Sequence, residues 1–169
     1  MTSQLRKILV VGATGQQGSA LLSELSHLAT TSSGTFPNLK TLALTRKASS
    51  QNAQSLVQKY GKTLNLELVE GNTQNPEPIF AAHKDIDTVF SYTTMPVEGE
   101  EAQAKPLITA SAKHGVKHFV FSSVERGGDE RSWSNPTDVP HFQTKHNSES
   151  DFLEICPKLS HAVSRQTRP

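Results

Sequence analysis

Short apolar runs recur along the chain with polar segments between them. Runs rich in Val, Ile, Leu and Phe occupy residues 8–11, 39–44, 64–69, 88–92 and 118–121. Each run is as long as a strand that is buried on both faces. The pattern therefore predicts five buried strands.

The segments between these runs carry apolar residues at helical spacing. They include Ala20, Leu21, Leu25 and Leu28, then Leu56, Val57 and Tyr60, then Leu107, Ile108 and Ala112. Buried strands that alternate with helices form a parallel sheet with helices on both faces, because right-handed crossovers return each helix over the sheet. We expect a doubly wound α/β domain. Pro106 leaves two alternatives for residues 100–114, a kinked helix or a helix that starts near the proline.

The first strand is followed by the segment Gly12-Ala13-Thr14-Gly15-Gln16-Gln17-Gly18 and then by an apolar helix. In a strand–turn–helix context, glycines at this spacing permit a tight turn, close approach to a pyrophosphate and close helix packing. A pyrophosphate would lie on free amides at the helix start, where the helix dipole favours negative charge. This turn predicts a dinucleotide site.

The second strand ends in Leu44-Thr45-Arg46-Lys47. A site for NAD usually offers a carboxylate to the ribose hydroxyls at this point, whereas Arg accommodates a 2′-phosphate. Arg46 can make bidentate hydrogen bonds to that phosphate and Lys47 adds a point charge, with no carboxylate close by in the sequence. We therefore expect NADP(H) in preference to NAD(H).

Composition and charge exclude several other classes. At 169 residues the chain is about one domain, and its formal net charge of +1 comes without a basic run of the kind that binds nucleic acid. Cys156 is the single cysteine, so no internal disulfide can form, and a cytoplasmic or nuclear location is expected. The first apolar run is too short for a signal core or a membrane span. His114 and His118 have the spacing of a metal pair, but Gly115 separates them, and we expect no metal site.

Several further segments, taken together, resemble the NmrA-like family, atypical members of the extended short-chain dehydrogenase superfamily. They are ILVVGATGQQG at residues 8–18, LTRKAS at 44–49, LVEGNTQNP at 68–76, KHGVKHFVFSSVERGG at 113–128 and HFQTKHNSESDFL at 141–153. The resemblance implies an NAD(P)-binding Rossmann domain with strand order 3-2-1-4-5.

The resemblance also implies roles for individual residues. The loop from Gly12 to Gly18, with Thr14, Gly15, Gln16 and Gln17, would hold the pyrophosphate, and Arg46 with Lys47 the adenosine phosphate. Asn72 and Thr73 would flank the adenine. Tyr92, Thr93 and Thr94 would line the path to the nicotinamide ribose, which Lys145 would bind.

Catalysis is where the chain departs from the wider superfamily, whose sites use Ser with a Tyr-x-x-x-Lys pair. The corresponding segment here is His141-Phe142-Gln143-Thr144-Lys145, with no tyrosine. Lys145 acting alone as acid and base is one alternative, as isoflavone-reductase-like relatives suggest, and absence of hydride chemistry is the other. Ser122 or Ser123 could polarise a carbonyl, and Ser123 is a further catalytic candidate.

The carboxyl-terminal end departs from the family pattern as well. Residues after Ile155 contain no apolar run long enough for a buried strand, so we expect residues 1–155 to form the Rossmann domain and residues 156–169 an unrelated tail. The sixth strand and the substrate-binding lobe of the family are expected to be missing. Truncation of this kind would leave the cofactor-binding half without the groups that select a substrate and exclude water.

Two functions from different classes remain open. The first is an NADPH-dependent oxidoreductase acting on a small carbonyl or quinone-like substrate. The second is a non-catalytic NADP(H) redox sensor that regulates transcription through contact with a protein partner.

Overall fold

A computed structural model describes residues 6–31, 38–94, 96, 99–156 and 160–166. Strands and helices alternate through these residues. The strands are β1 (Arg6–Val10), β2 (Leu39–Thr45), β3 (Leu66–Glu70), β4 (Ile86–Ser91), β5 (His118–Val124) and β6 (Ser160–Gln166). The helices are α1 (Gln16–Thr31), α2 (Gln51–Tyr60), α3 (Glu77–Ala82), α4 (Glu100–Lys113), α5 (Asp129–Ser132) and α6 (Pro140–Ile155).

All six strands are parallel and lie in the order β3-β2-β1-β4-β5-β6. The doubly wound α/β architecture and the order of the first five strands are confirmed. The run in β1 is apolar throughout because successive side chains enter different cores. Leu9 packs into the core on one face of the sheet and Val10 into the core on the other. Both side chains are fully buried.

The prediction that a sixth strand is missing is wrong. Ser160–Gln166 pairs with β5 in parallel along its whole length, from His118 opposite Ser160 to Val124 opposite Gln166. An edge strand has one neighbour instead of two, so its sequence does not need the continuous apolar run that marks a central strand. Residues 160–166 of the predicted tail therefore belong to the sheet, whereas 157–159 and 167–169 lie outside the described residues.

Helix α4 begins at Glu100 and runs through Pro106, so the alternative of a start near the proline is wrong. The helix ends with Lys113 in its last turn, and Gly115 follows with a φ of +74°. Glycine adopts this conformation without strain, which lets the chain reverse into β5. Helix α4 packs against α6, and this pair positions the charged groups described below.

Candidate dinucleotide and lysine site

The turn between β1 and α1 has the geometry that its glycines predict. Gly12 has a φ of +61°, and the Gly15 amide donates to the Gly12 carbonyl at 2.8 Å, which closes the turn. A Cβ at position 18 would lie 2.4 Å from the Gly12 carbonyl oxygen, closer than real side chains approach. Glycine at 12 and 18 is therefore required for the turn to form and for α1 to start against it.

The start of α1 presents backbone amides at this turn. The Ser19 amide donates to the Gly15 carbonyl at 2.9 Å, so the amides of Gln16, Gln17 and Gly18 precede the first donor of the helix ladder. Thr14 and Gln16 are exposed and Gln17 is half-buried. Amides in this position can bind an anion, and the helix dipole adds to the attraction.

The phenol of Tyr92 lies against the same turn. Its Oη donates to the Gly12 carbonyl at 3.3 Å, and a Cβ on Gly15 would lie 2.5 Å from the same Oη of Tyr92. Partial burial raises the pKa of Tyr92, and the positive charge of Arg46 opposes this rise. Tyr92, Gly12 and Gly15 thus meet at the carboxyl edge of the sheet, the edge at which Arg46 follows β2.

Arg46 and Lys47 follow β2 and are exposed. Within the described residues, no hydrogen bond or ion pair is found for either charged side-chain group. No carboxylate is close to Arg46 and Lys47 in the sequence, but the neighbouring strand supplies one: the Ala48 amide donates to Oε2 of Glu70 at 2.8 Å. The parallel pairing of Thr45 with Glu70 brings this carboxylate in from a segment distant in sequence.

Asn72 and Thr73 lie in the turn that follows β3. The Gln74 amide donates to Oδ1 of Asn72 at 2.9 Å, and Asn72 forms an isolated bridge with Asn75. Asn72 is exposed and Thr73 is half-buried. Both therefore lie at the carboxyl edge of the sheet, like the turn from Gly12 to Gly18, which we call the phosphate turn after its predicted role. Their contact with an adenine stays a prediction.

Lys145 is buried beside the ends of β4 and β5. Its Nζ donates to Oγ1 of Thr93 and lies 5.3 Å from the centre of the Phe121 ring. Oε1 of Glu100 lies 3.8 Å from the same nitrogen. Burial lowers the pKa of Lys145, and the negative charge of Glu100 opposes this fall.

The residues predicted to line one path after β4 separate in the structure. Tyr92 lies at the phosphate turn, Thr93 bonds to Lys145, and Thr94 is bound to α4. Both the amide and the hydroxyl of Thr94 donate to Oε1 of Gln103 at 3.1 Å. Thr93 is thus the member of this segment in contact with the lysine.

Ser123 has a structural partner. It is buried, and its hydroxyl donates to Oε1 of Glu149, which also forms an ion pair with Arg126. The Arg126 guanidinium bonds to both Glu149 oxygens, at 3.1 and 2.8 Å. These contacts give Ser123 no access to a substrate carbonyl, and its catalytic role stays a prediction that they do not support.

Glu100 and Arg126 are two of the buried charges that the sequence does not reveal. Glu100 is fully buried, yet an acid in the first turn of a helix is normally an exposed partner of the helix dipole. Arg126 lies in a glycine-rich loop, and its side chain is also fully buried. No pattern in the sequence distinguishes either residue from an exposed charge.

His114, considered as a metal ligand, has other partners. Its Nε2 lies 3.0 Å from Oε2 of Glu77, and its ring stacks on Phe80 at 5.1 Å. Among the described residues, no group of three or more His, Cys, Asp and Glu could hold a metal ion. A search of the same residues for a helix of sufficient length and hydropathy to cross a membrane found none.

The fold is similar to several solved structures. One is the NADPH-dependent quinone oxidoreductase QOR2 from Escherichia coli complexed with NADPH, with a TM-score of 0.70, 17% identity, and coverage of 94% of this chain and 48% of the other. Another is the Citrobacter sp. triphenylmethane reductase complexed with NADP(H), with a TM-score of 0.72, 17% identity, and coverage of 95% and 49%.

The negative transcriptional regulator Nmra gives a TM-score of 0.67 and 21% identity, with 95% of this chain and 45% of the other covered. At these identities the likeness concerns the fold. The chain spans about half the length of the structures it matches. A search of curated proteins found no match. The model of the NmrA-like family, however, matches residues 4–164, and the chain therefore belongs to the NmrA-like family.

Proposed function

We propose that this chain binds NADP(H) and serves in an oxidoreductase that reduces a small carbonyl or quinone-like substrate. The observation that carries the proposal is the convergence of the phosphate turn, the exposed Arg46 and the buried Lys145 at the carboxyl edge of one parallel sheet. Open α/β sheets bind ligands at this edge, near the point where strand order reverses. That point lies here between β1 and β4.

The residues at the edge fit a dinucleotide phosphate. Gly15 has no side chain to keep a pyrophosphate away, and the amides that start α1 can donate to it. The phenol of Tyr92 lies on the same glycine and would have to turn aside or lie beside the ligand. Two solved structures of similar fold, the quinone oxidoreductase and the triphenylmethane reductase, contain NADPH or NADP(H). Their cofactors support the proposal that this chain binds NADP(H).

Lys145 is the group best placed for proton transfer. When bound, NADPH supplies a hydride, and reduction of a carbonyl or quinone also needs a proton. Burial favours the neutral form of the Lys145 amine, and Thr93 holds the nitrogen at a defined point. A lysine whose pKa is lowered toward the working pH is a better acid and base than an exposed one.

Selectivity for NADP(H) should depend on Arg46. We expect Arg46→Ala to weaken NADPH binding about 10–100-fold while leaving NADH binding nearly unchanged, because a charge-assisted hydrogen bond contributes about 1.5–3 kcal/mol. Calorimetric titration with each cofactor measures the ratio. Lys62→Ala removes another exposed cation, beyond α2, and is the control for loss of net charge. Equal losses for both cofactors would remove Arg46 from the 2′-phosphate site.

A non-catalytic redox sensor acting on a regulatory protein partner, in the cytoplasm or the nucleus, is the second candidate. The observation in its favour is His141, which stands where the superfamily has its tyrosine and whose Nδ1 lies 3.0 Å from a Glu100 oxygen. A phenol is therefore missing from the acid–base pair. NADPH oxidation against a panel of carbonyls and quinones, beside calorimetry, separates the two: binding without turnover on any member would favour the sensor.

A further inference from the structure

Glu100 contacts three side chains of α6, namely those of His141, Thr144 and Lys145. It belongs to none of the motifs described above. Oε2 of Glu100 accepts a hydrogen bond from the Thr144 hydroxyl and lies 3.0 Å from Nδ1 of His141. Oε1 has no hydrogen-bond partner among the described residues and lies 3.8 Å from the Lys145 nitrogen. The carboxylate thus stands between the histidine and the lysine.

Helix geometry explains why three residues of α6 face Glu100 together. Positions 141, 144 and 145 are three and four residues apart and share one face of the helix. The side chain of His141 is 37% exposed, whereas those of Glu100 and Lys145 are 0% and 5% exposed. The contacts therefore run from a partly exposed ring, through a fully buried carboxylate, to a buried amine.

A buried carboxylate is costly unless charge and hydrogen bonds compensate for it. The amino-terminal turn of α4 favours this negative charge, and the side-chain contacts come from α6 among the described residues, including the two titratable groups His141 and Lys145. Thr93 and Phe121, which contact the Lys145 nitrogen from the other elements, are uncharged. Glu100 therefore contacts both titratable side chains, His141 through Oε2 and Lys145 through Oε1.

We propose that Glu100 is a positioning residue for Lys145, one that holds its amine in place and couples its charge to the protonation of the partly exposed ring of His141. The inference rests on the proposed function, in which Lys145 transfers a proton near the cofactor. Protonation of His141 partly neutralises Glu100 and so makes loss of the proton from Lys145 easier. A neutral ring leaves the carboxylate to stabilise the ammonium.

The coupling can be measured in the chain without cofactor. NMR of protein labelled with ¹³C and ¹⁵N in lysine and histidine would follow the Lys145 side chain and the His141 ring from acid to alkaline pH. We expect Glu100→Gln to lower the pKa of Lys145, because Glu100 opposes the effect of burial. In the wild type, we expect the Lys145 signals to shift a second time as the His141 ring titrates, and this shift to be lost in Glu100→Gln.

Glu101→Gln is the matched control, since Glu101 lies in the same helical turn and pairs with Asn147. We expect Glu101→Gln to leave unchanged both the pKa of Lys145 and the second shift of its signals. A Lys145 titration in Glu100→Gln that matches the wild type would overturn the proposal. If Glu100→Gln does not fold, His141→Asn tests the coupling instead, because the His141 side chain is partly exposed and its replacement should be tolerated. The second shift of the Lys145 signals must then disappear, and its persistence would contradict the coupling.

The outcome is separate from that of the proposed function. Failure of NADPH to bind would remove the cofactor site, yet the Lys145 titration in the cofactor-free chain would be unaffected. Where turnover is found, Glu100→Gln should move the alkaline limb of the kcat profile to lower pH, because Lys145 then loses its proton earlier. A purely structural role for Glu100 would lower activity at every pH alike.

Discussion

Replacing Glu149 with glutamine should destabilise the domain by about 3–5 kcal/mol, because it leaves the Arg126 guanidinium buried without its counter-ion. Both side chains are almost completely buried, at 0% and 2% exposed. Domains of this size are stable by about 5–15 kcal/mol, so the loss is a large part of the total. Urea unfolding of the wild type and the variant, followed by circular dichroism, measures the difference.

Two comparisons separate the buried charge from other effects. Glu154→Gln alters an exposed acid of the same helix and should change stability by less than about 0.5 kcal/mol. The double variant Arg126→Met with Glu149→Leu should recover part of the loss, since it leaves no unpaired charge. Equal stability of Glu149→Gln and the wild type would show that the ion pair does not contribute to the stability of the domain.

Gly15→Ala should weaken NADPH binding about 10–100-fold while the fold is retained. A Cβ at this position would lie 2.5 Å from Oη of Tyr92 and 3.2 Å from the Gly12 carbonyl oxygen, on the surface that a pyrophosphate must approach. Excess atoms in a close contact cost about 1–3 kcal/mol, which corresponds to that loss of affinity. Calorimetric titration with NADPH measures it.

Gly99→Ala is the control for this substitution. Among the described residues other than its chain neighbours, the atom nearest to its Cβ would be the side-chain nitrogen of Gln103 at 3.7 Å, so affinity should not change. Circular dichroism should be the same for both variants. If Gly15→Ala is folded and binds NADPH as the wild type does, the pyrophosphate does not lie on the turn between β1 and α1.

The sequence predicts the central strands well because burial on both faces requires apolar side chains at consecutive positions. Residues such as Leu9 and Val10 face opposite cores, and the apolar run at 8–11 reports this directly. Strand β6 has one neighbour, and its run from Ser160 to Gln166 has no such requirement. The edge of a sheet therefore lies beyond what an apolar pattern can predict.

The phosphate turn was predictable for a related reason, since its conformation depends on glycines that are close in sequence. The charged groups around Lys145 and Ser123 were not. Glu100 meets His141 from 41 residues away, and Arg126 meets Glu149 from 23 residues away. Whether such a charge is buried depends on how α4 packs against α6 and on how residues 125–139 place Arg126 against α6. The local sequence encodes neither arrangement.

The position of Tyr92 has a consequence for how affinity should be understood. Its hydroxyl already satisfies the Gly12 carbonyl and lies on Gly15, so a pyrophosphate bound directly on Gly15 would require the ring to turn aside. A dinucleotide would then bind to the fraction of molecules in which the ring has swung away, and its measured dissociation constant is the intrinsic one divided by that fraction. Residues that never touch the ligand, but restrain or release this ring, would in that way set the concentration at which the site fills.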